Sequence, residues 1–599
     1  MFDQSKSHYF HKLSFANLIL GIIFFIIILR LGYLQIIKGE QFYNQSQTNQ
    51  LRVVKIIPPR GRIYDRNGNI LATNVPSFNL ELIPEATNNP DEIIKKIAQL
   101  INLDENLLFE NYNKFKTKRF KYEAKLLFKN LDRDRVAVVE ANRYQLPGVN
   151  INPVPARFYP NNQMAAHLLG YTREINLEQL NSEQFVGYSS GDIVGQKGIE
   201  KTFENILQGQ KGKQTLIVNA FGQKIKEAYF QPPISGQDVV LSIDLNIQRA
   251  SEDALANNSG VIVAINPNNG EVLSLVSKPS YDPNIFSGEI TKDIWQDLFL
   301  GDNKKLTNKA VSGTYPPGSI HKIFMASSGL TEGVVSTKDK IFCPGHYRVG
   351  NSRPFKCHKE SGHGAVDLID ALKMSCNVYF YTLGERLGID RIFKDITAFG
   401  FNEATNIELD SEKTGLIPSS EWKKKYFKKP EDQKWYAGET PSVSIGQGAN
   451  IVTPIQIARA LAGLVNGGKI FDLTLIKDKI PKVSRNLRLE LDDINEIKKG
   501  LLAVVNEPRG TGSAAKLKPE INIDVAGKTA TAQIKSSKFL KGKDSENNAW
   551  FAAFAPYENP EIIVVALVEY GGHGGSTAAP VAKEVLKEYF TNKDLLYEK

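Results

Sequence analysis

The chain has 599 residues, 42% of them hydrophobic, which predicts several domains with apolar cores of their own. Its formal net charge is +9 with no long basic block, a pattern that argues against nucleic-acid binding and reads as a general surface bias towards anionic lipid or polymer.

Residues 13–37, LSFANLILGIIFFIIILRLGYLQII, are long enough to cross a bilayer and hold an uninterrupted apolar run from Leu18 to Leu29. No small-residue cleavage site follows, so a retained anchor is expected, with residues 1–12 as a cytoplasmic tail. Lys6 and Lys12 precede the span and Arg30, Lys38 and Arg52 lie at its far end or beyond, so flanking charge does not choose a side. Long domains translocate largely regardless of such charges.

Beyond the anchor, Asp65-Arg66-Asn67-Gly68 predicts a tight turn between two β-rich runs, LRVVKII and ILATN. Residues 88–143 turn Lys- and Leu-rich and predict a small helical insertion. VNINPVPARFYP returns to a strand pattern, and the interruption at FQPPISGQD marks a boundary near 235. The division is then a pedestal over 38–235 and a second domain over 236–592. In the second domain GVIVAINPNNGEVLSLVSKP predicts a hairpin around Asn-Asn-Gly. Helical material dominates from 319 to about 470, strands return at IDVAGKTATAQI, AWFAAFAP and EIIVVALVEY, and PVAKEVLKEYF supplies a last amphipathic helix. Strands from both ends with helices between predict one antiparallel sheet covered by helices, so the fold class is multi-domain α/β.

Three short motifs carry chemistry. In YPPGSIHKIF, Ser319 is followed three positions later by Lys322, so on a helix the amine can reach the hydroxyl and take its proton. Pro316, Pro317 and Gly318 cannot continue a helix comfortably, which places Ser319 on a first turn, where free N–H groups favour a developing anion. Ser375-Cys376-Asn377 is a Ser-x-Asn, and Lys528-Thr529-Ala530-Thr531 lies on a predicted strand. Ser319 attacking a carbonyl, with Lys322 as base, is the chemistry of acyl transfer.

Ser-x-x-Lys, Ser-x-Asn and Lys-Thr-small in this order resemble the signature of penicillin-binding proteins and serine β-lactamases. PPRGRIYDRNG, SKPSYDPNIF, YPPGSIHK, EWKKKYFKKP and VSIGQGANIVTPIQIARAL resemble, more closely, the class B family of penicillin-binding protein 2, over nearly the whole chain from residue 13. The resemblance implies a penicillin-binding transpeptidase fold behind a β-rich pedestal, anchored in the bacterial inner membrane with the bulk of the chain periplasmic. It implies a D,D-transpeptidase acting on D-Ala-D-Ala stem peptides of peptidoglycan during cell elongation, covalently inhibited by β-lactams. Backbone N–H groups of Ser319 and Thr531 would form the oxyanion hole. Ser375, supported by Lys528, would relay a proton to the leaving amine; Asn377 would hold the substrate amide, and Thr529 and Thr531 its carboxylate. Implied partners are a membrane-embedded glycan polymerase of the SEDS family and proteins of the elongation complex. Ala530 stands where the family usually has glycine, which adds a methyl beside the substrate-binding strand. His321 is also uncommon there and reads as a packing or surface side chain.

Cys343, Cys357 and Cys376 are the chain's three cysteines, with His346, His358 and His363 in the same stretch. Three thiolates and one imidazole complete a closed, structural zinc site. The spacings of 14, 6 and 13 through Cys343, Cys357, His363 and Cys376 follow no zinc-finger pattern, and by themselves leave one disulfide plus a free thiol equally open. The family resemblance implies zinc on these four positions.

Trp422 with Lys423, Lys424, Lys425, Lys428 and Lys429 is either a basic face for an anionic polymer or headgroups, or a solvated loop. Alternatives to the transpeptidase are a D,D-carboxypeptidase, which uses water as acceptor, and a non-catalytic scaffold of the wall-synthesis complex. A β-lactamase is disfavoured, because a pedestal of this length is unnecessary for hydrolysing a small molecule.

Overall fold

The computed structural model describes residues 4–43, 51–114, 124–218, 224–288, 290–301, 304–350, 353–533 and 547–597. A helix over Gln4–Gly32 continues as one wider turn through Ile37. Within it Leu13–Ile37 is apolar and long enough to cross a membrane, and its apolar window carries no buried residue. The chain divides into two compact units.

The first unit comprises Met1–Pro59, Pro76–Pro155 and Gly209–Ser235. Leu51–Ile56, Gly212–Val218 and Lys224–Gln231 form a three-stranded antiparallel sheet in it. The helix Pro90–Leu100 starts where Asn89 accepts the Glu92 N–H and Pro90 takes the first helical position. It buries Ile93, Ile94, Ile97 and Ala98 with Leu80, Leu82 and Leu108. The expected helical insertion holds helices at Pro90–Leu100, Glu105–Lys114 and Arg133–Ala141, but Lys125–Leu131 is a strand. It pairs with the chain between Phe78 and Leu82 and buries Leu127 and Leu131 in that core. Cross-strand pairing overrides the helix propensity of a Lys- and Leu-rich segment.

The second unit comprises Arg60–Val75, Ala156–Gln208 and Gly236–Lys599. The expected turn at Asp65–Gly68 joins Ile63–Tyr64 to Ile70. The earlier β run, Leu51–Ile56, leaves this hairpin and pairs with Gly212–Val218 instead. Asp65 is buried, and its carboxylate accepts the N–H groups of Asn67, Asn69 and Leu245. Arg60 pairs with Glu200 and Glu204, at 2.6 and 2.7 Å, so these residues of the PPRGRIYDRNG motif hold structure together.

The unit is built on one antiparallel sheet, in the spatial order Val272–Lys278, Gly260–Ile265, Ile562–Val568, Asn547–Ala555, Ala526–Gln533. Alternation sorts its side chains between two cores. Val261, Val263, Trp550, Phe554 and Val565 face one, together with helices that position the site. Ile262, Ala264, Phe551, Val564 and Ala566 face the other, with the C-terminal helix Ala578–Tyr597. Burial on both faces explains the unbroken apolar runs in these strands. Ala526–Gln533 forms one end of the sheet, so its outer edge is unpaired among the described strands.

Candidate active site

Gly318 turns the chain at φ 54°, a left-handed conformation that glycine adopts without strain. Gly318–Ile320 then makes one tight turn, and the helix His321–Thr331 follows. The Gly318 N–H donates to the Gly446 carbonyl at 3.0 Å, which fastens the turn to the SIGQG segment. From Pro317 to Gly329 every residue is buried except Ser319. Ser319 is therefore the one half-buried position in an otherwise buried helix entry.

Lys322, one turn on, is fully buried. Its Nζ donates to the Ser375 carbonyl at 2.8 Å, to Ser375 Oγ at 3.2 Å and to Asn377 Oδ1 at 2.7 Å. Phe380 closes its surroundings, with the ring centre 5.5 Å away. Burial brings the amine down to about 8, against the pull of the Cys376 and Cys357 sulfurs. Ser375 holds φ at 53°, a strained conformation for a residue with a Cβ, between the helices Leu368–Lys373 and Asn377–Leu387. That bend lets Ser375 and Asn377 meet one amine while Cys376 between them turns elsewhere.

Lys528, Thr529, Ala530 and Thr531 lie on the strand Ala526–Gln533, opposite Ala552, Phe551, Trp550 and Ala549 of the neighbouring strand. Lys528 is also fully buried, and its pKa falls well below the ordinary amine value, through burial first and then the charge of Lys322. Two lysines that repel each other in a dry setting favour the free-base form of one. Thr529 Oγ1 lies 2.7 Å from Thr511 Oγ1, and Thr531 Oγ1 accepts the Gly574 N–H at 3.4 Å. The Ala530 methyl is buried on the Gly318 side: a Cβ built on Gly318 would lie 3.3 Å from it and 3.5 Å from the Thr531 carbonyl. The Gly318–Ile320 turn and the edge strand are thus in van der Waals reach of each other.

The four predicted ligand positions also converge. One ligand atom each from Cys343, Cys357, His363 and Cys376 lies within 4.8 Å of the others, and all three thiols are free and buried. The Cys343 and Cys357 sulfurs are 3.6 and 3.5 Å from His363 Nδ1. A hydrogen bond from the Cys376 thiol holds the Cys357 thiol far below its usual range. The Asn377 N–H donates to the Cys357 sulfur at 3.4 Å, tying the cluster to the loop that holds Lys322. This cluster has the donor set and the proximity to hold a metal ion.

The penicillin-binding protein transpeptidase domain model matches residues 260–587, and the penicillin-binding protein dimerisation domain model matches 55–241. The chain belongs to the penicillin-binding protein transpeptidase family. It is 36% identical over 585 residues to the peptidoglycan D,D-transpeptidase MrdA of Haemophilus influenzae, covering 94% of this chain and 88% of that protein. Among solved structures it is similar to penicillin-binding protein 2 of Helicobacter pylori in complex with MreC, with TM-score 0.78 and 29% identity over 90% of this chain and 99% of that one. It is also similar, with TM-score 0.71 and 29% identity over 96% and 98% of the two chains, to a protein in a structure titled as a peptidoglycan synthase complex that coordinates polymerization and crosslinking.

Several residues of this penicillin-binding protein escape motif reading. Glu569, at the end of the strand Ile562–Val568, accepts hydrogen bonds from Tyr315 at 2.7 Å and Lys309 at 2.6 Å. Burial opposes its charge, but Lys309, Ser259 and Tyr315 together hold its carboxyl below the usual value. Tyr315 is four residues before Ser319, and its backbone pairs with Val452, next to the SIGQG segment. Thr511 is equally isolated in sequence, with no local pattern to single it out, whereas Gly446 lies within the quoted VSIGQGANIVTPIQIARAL run and only its contact with Gly318 is new. His321 is buried and held neutral by burial, its pKa lowered to about 3, as a packing residue would be. His573 is exposed in its loop.

Proposed function

We propose that Ser319 is the acylated nucleophile and Lys322 its base. The chain is a serine-type D,D-transpeptidase of peptidoglycan, anchored in the inner membrane by one N-terminal helix with its bulk outside the cytoplasm. The observation that carries the residue assignment is the buried Lys322 amine, one turn after the half-buried Ser319 in an otherwise buried helix entry and hydrogen-bonded to both Ser375 and Asn377.

Ser319 Oγ attacks the carbonyl between the two D-alanines as Lys322 Nζ takes the hydroxyl proton. The oxyanion is held by the N–H groups of Ser319 and Thr531, which the close approach of turn and strand makes available together. The amide C–N bond breaks, and Ser375, with Lys528 behind it, passes a proton to the departing D-alanine amine. The amine of a second stem peptide then attacks the acyl-enzyme and frees Ser319. Asn377 orients the donor amide, and Thr529 and Thr531 bind its terminal carboxylate at the strand edge, where Ala530 lines the turn.

The cluster of Cys343, Cys357, His363 and Cys376 would hold one zinc ion. Supporting this, bonds of about 2.3 Å to sulfur and about 2.05 Å to nitrogen at a tetrahedral angle place those ligands about 3.6 Å apart, close to the 3.5 and 3.6 Å separations from His363 Nδ1. Four protein ligands would leave no open position, so an ion held there would be structural and would fix the loop of Ser375 and Asn377. We assign residues 1–12 to a cytoplasmic tail, 13–37 to the anchor, 38–235 to a pedestal and 236–592 to catalysis. A SEDS-family glycan polymerase and elongation-complex proteins are the partners we assign to anchor and pedestal.

Labelling by a fluorescent penicillin tests the core of this reading. Wild type takes the label and Ser319→Ala does not; label independent of Ser319 would refute it.

A further inference from the structure

We infer that the basic, aromatic segment over 420–436 is a docking platform for the peptidoglycan strand, a sugar chain bearing anionic peptides, outside the catalytic cleft. The inference rests on the transpeptidase reading, which makes that polymer the substrate.

The segment is too ordered for a solvated loop. Ser419 caps the helix Ser420–Tyr426 by accepting the Trp422 N–H at 3.0 Å. Lys423, the one buried residue of that helix, is paired with Glu439 at 2.6 Å. Its Nζ lies 5.1 to 5.9 Å from the ring centres of Tyr436, Trp435 and Phe427. One interior cation therefore holds together three rings from two stretches of the segment, Phe427 at the helix end and the neighbours Trp435 and Tyr436.

Outside this anchor lysines outnumber carboxylates: Lys425 is paired with Glu421 at 2.6 Å, and Glu431 and Asp432 open the short helix that follows. Trp422 and Tyr426, four residues apart, stack at 5.2 Å with their planes 23° apart. Tyr426 is 67% exposed and Tyr436 49%. Lys424, Lys428 and Lys429 are exposed and make no ion pair among the described residues. Exposed aromatic surface rimmed by unpaired charge marks an interaction site. The C–H faces of pyranose rings complement aromatic faces, which carry negative charge density, and the carboxylates of stem peptides complement the lysines.

The segment also leads directly to the nucleophile. Trp435 Nε1 donates to Thr440 Oγ1 at 3.0 Å, at the start of the helix Thr440–Ser444, and two residues beyond that helix the Gly446 carbonyl takes the Gly318 N–H. A strand held on the platform is held by the same stretch of chain that fastens the turn of Ser319.

The test uses the full chain in nanodiscs of zwitterionic lipid. Binding of fluorescently labelled, uncross-linked peptidoglycan strands is followed by anisotropy, for wild type and for Tyr426→Ala/Lys428→Glu/Lys429→Glu. We expect roughly tenfold weaker binding and a shallower salt dependence in the variant, the size set by one aromatic face and two exposed charges. An unchanged melting temperature shows that the fold is intact. Strand binding equal to wild type overturns the platform. So does a variant that loses affinity for vesicles of anionic phospholipid while keeping strand affinity, because the surface then serves the membrane. Fluorescent penicillin labelling of wild type separates the two readings. Absence of a Ser319-dependent label overturns the enzymatic reading, whereas the anisotropy series decides the platform.

Discussion

Lys322 Nζ lies 2.7 Å from Asn377 Oδ1, and through this bond the amine of the first motif is held by the amide of the second. With its pKa lowered to about 8, the amine is free base in about a tenth of molecules at pH 7, against less than about one in a thousand for an ordinary lysine. A base acts when unprotonated, so acylation by penicillin rises roughly tenfold per pH unit below about 8 and levels off above it. In Asn377→Asp a carboxylate beside the ammonium stabilises the charged form and moves that limb up by about 1–2 pH units. Stopped-flow acylation between pH 6 and 10 measures both. An unmoved limb contradicts the pairing.

Metal analysis of the purified protein is expected to return about one zinc per chain for wild type and much less for Cys357→Ser. Removing one of four ligands opens the site and frees the loop, so the variant also melts at lower temperature and acylates more slowly. Equal, negligible zinc in both proteins would sink the assignment.

Ala530→Gly removes a methyl packed on Gly318 and gives the edge strand a more flexible residue. The expected cost is about 0.5–1 kcal/mol of stability, measured by thermal denaturation. Acylation by penicillins changes by no more than about 200-fold, the upper range for one methylene. Loss of all acylation would show that Ala530 does more than fill space.

Glu569→Leu leaves the Lys309 ammonium, which is 10% exposed, without its carboxylate. A loss of about 3 kcal/mol is expected, against about 1 kcal/mol for Tyr315→Phe, which removes one hydrogen bond. The two substitutions share a partner, so the double variant falls short of the sum. Strict additivity would show that the network is not one unit.

The chemistry was legible because it is concentrated in short runs: Ser319 and Lys322 span one turn and the start of the next helix, Ser375 and Asn377 flank one helix entry, and Lys528 to Thr531 share one strand. The sheet was legible because burial on both faces leaves unbroken apolar strands such as Gly260–Ile265 and Ile562–Val568. The ligand spacings looked irregular because the ligands come from different elements: Cys343 from a strand paired with Gly364–Val366, Cys357 from after a separate two-stranded ladder, and Cys376 from a helix entry. Glu569 and Thr511 could not be found, since each acts on a residue more than 15 positions away and only the assembled sheet and loops bring them together. The strand Lys125–Leu131 was missed for the same reason, as its partner lies before the inserted helices.

Ser375, Cys376 and Asn377 divide their duties residue by residue: the outer two meet the Lys322 amine and the middle one meets the sulfur cluster. A one-residue insertion or deletion between Lys373 and Val378 would put a thiol where the amine expects an oxygen and an oxygen where the cluster expects sulfur. Such length changes damage the proton path and the cluster together, whereas substitutions in the ladder His346–Lys356 leave the tripeptide in register. Among variants that survive selection by a β-lactam, length changes are therefore expected to be absent from this tripeptide.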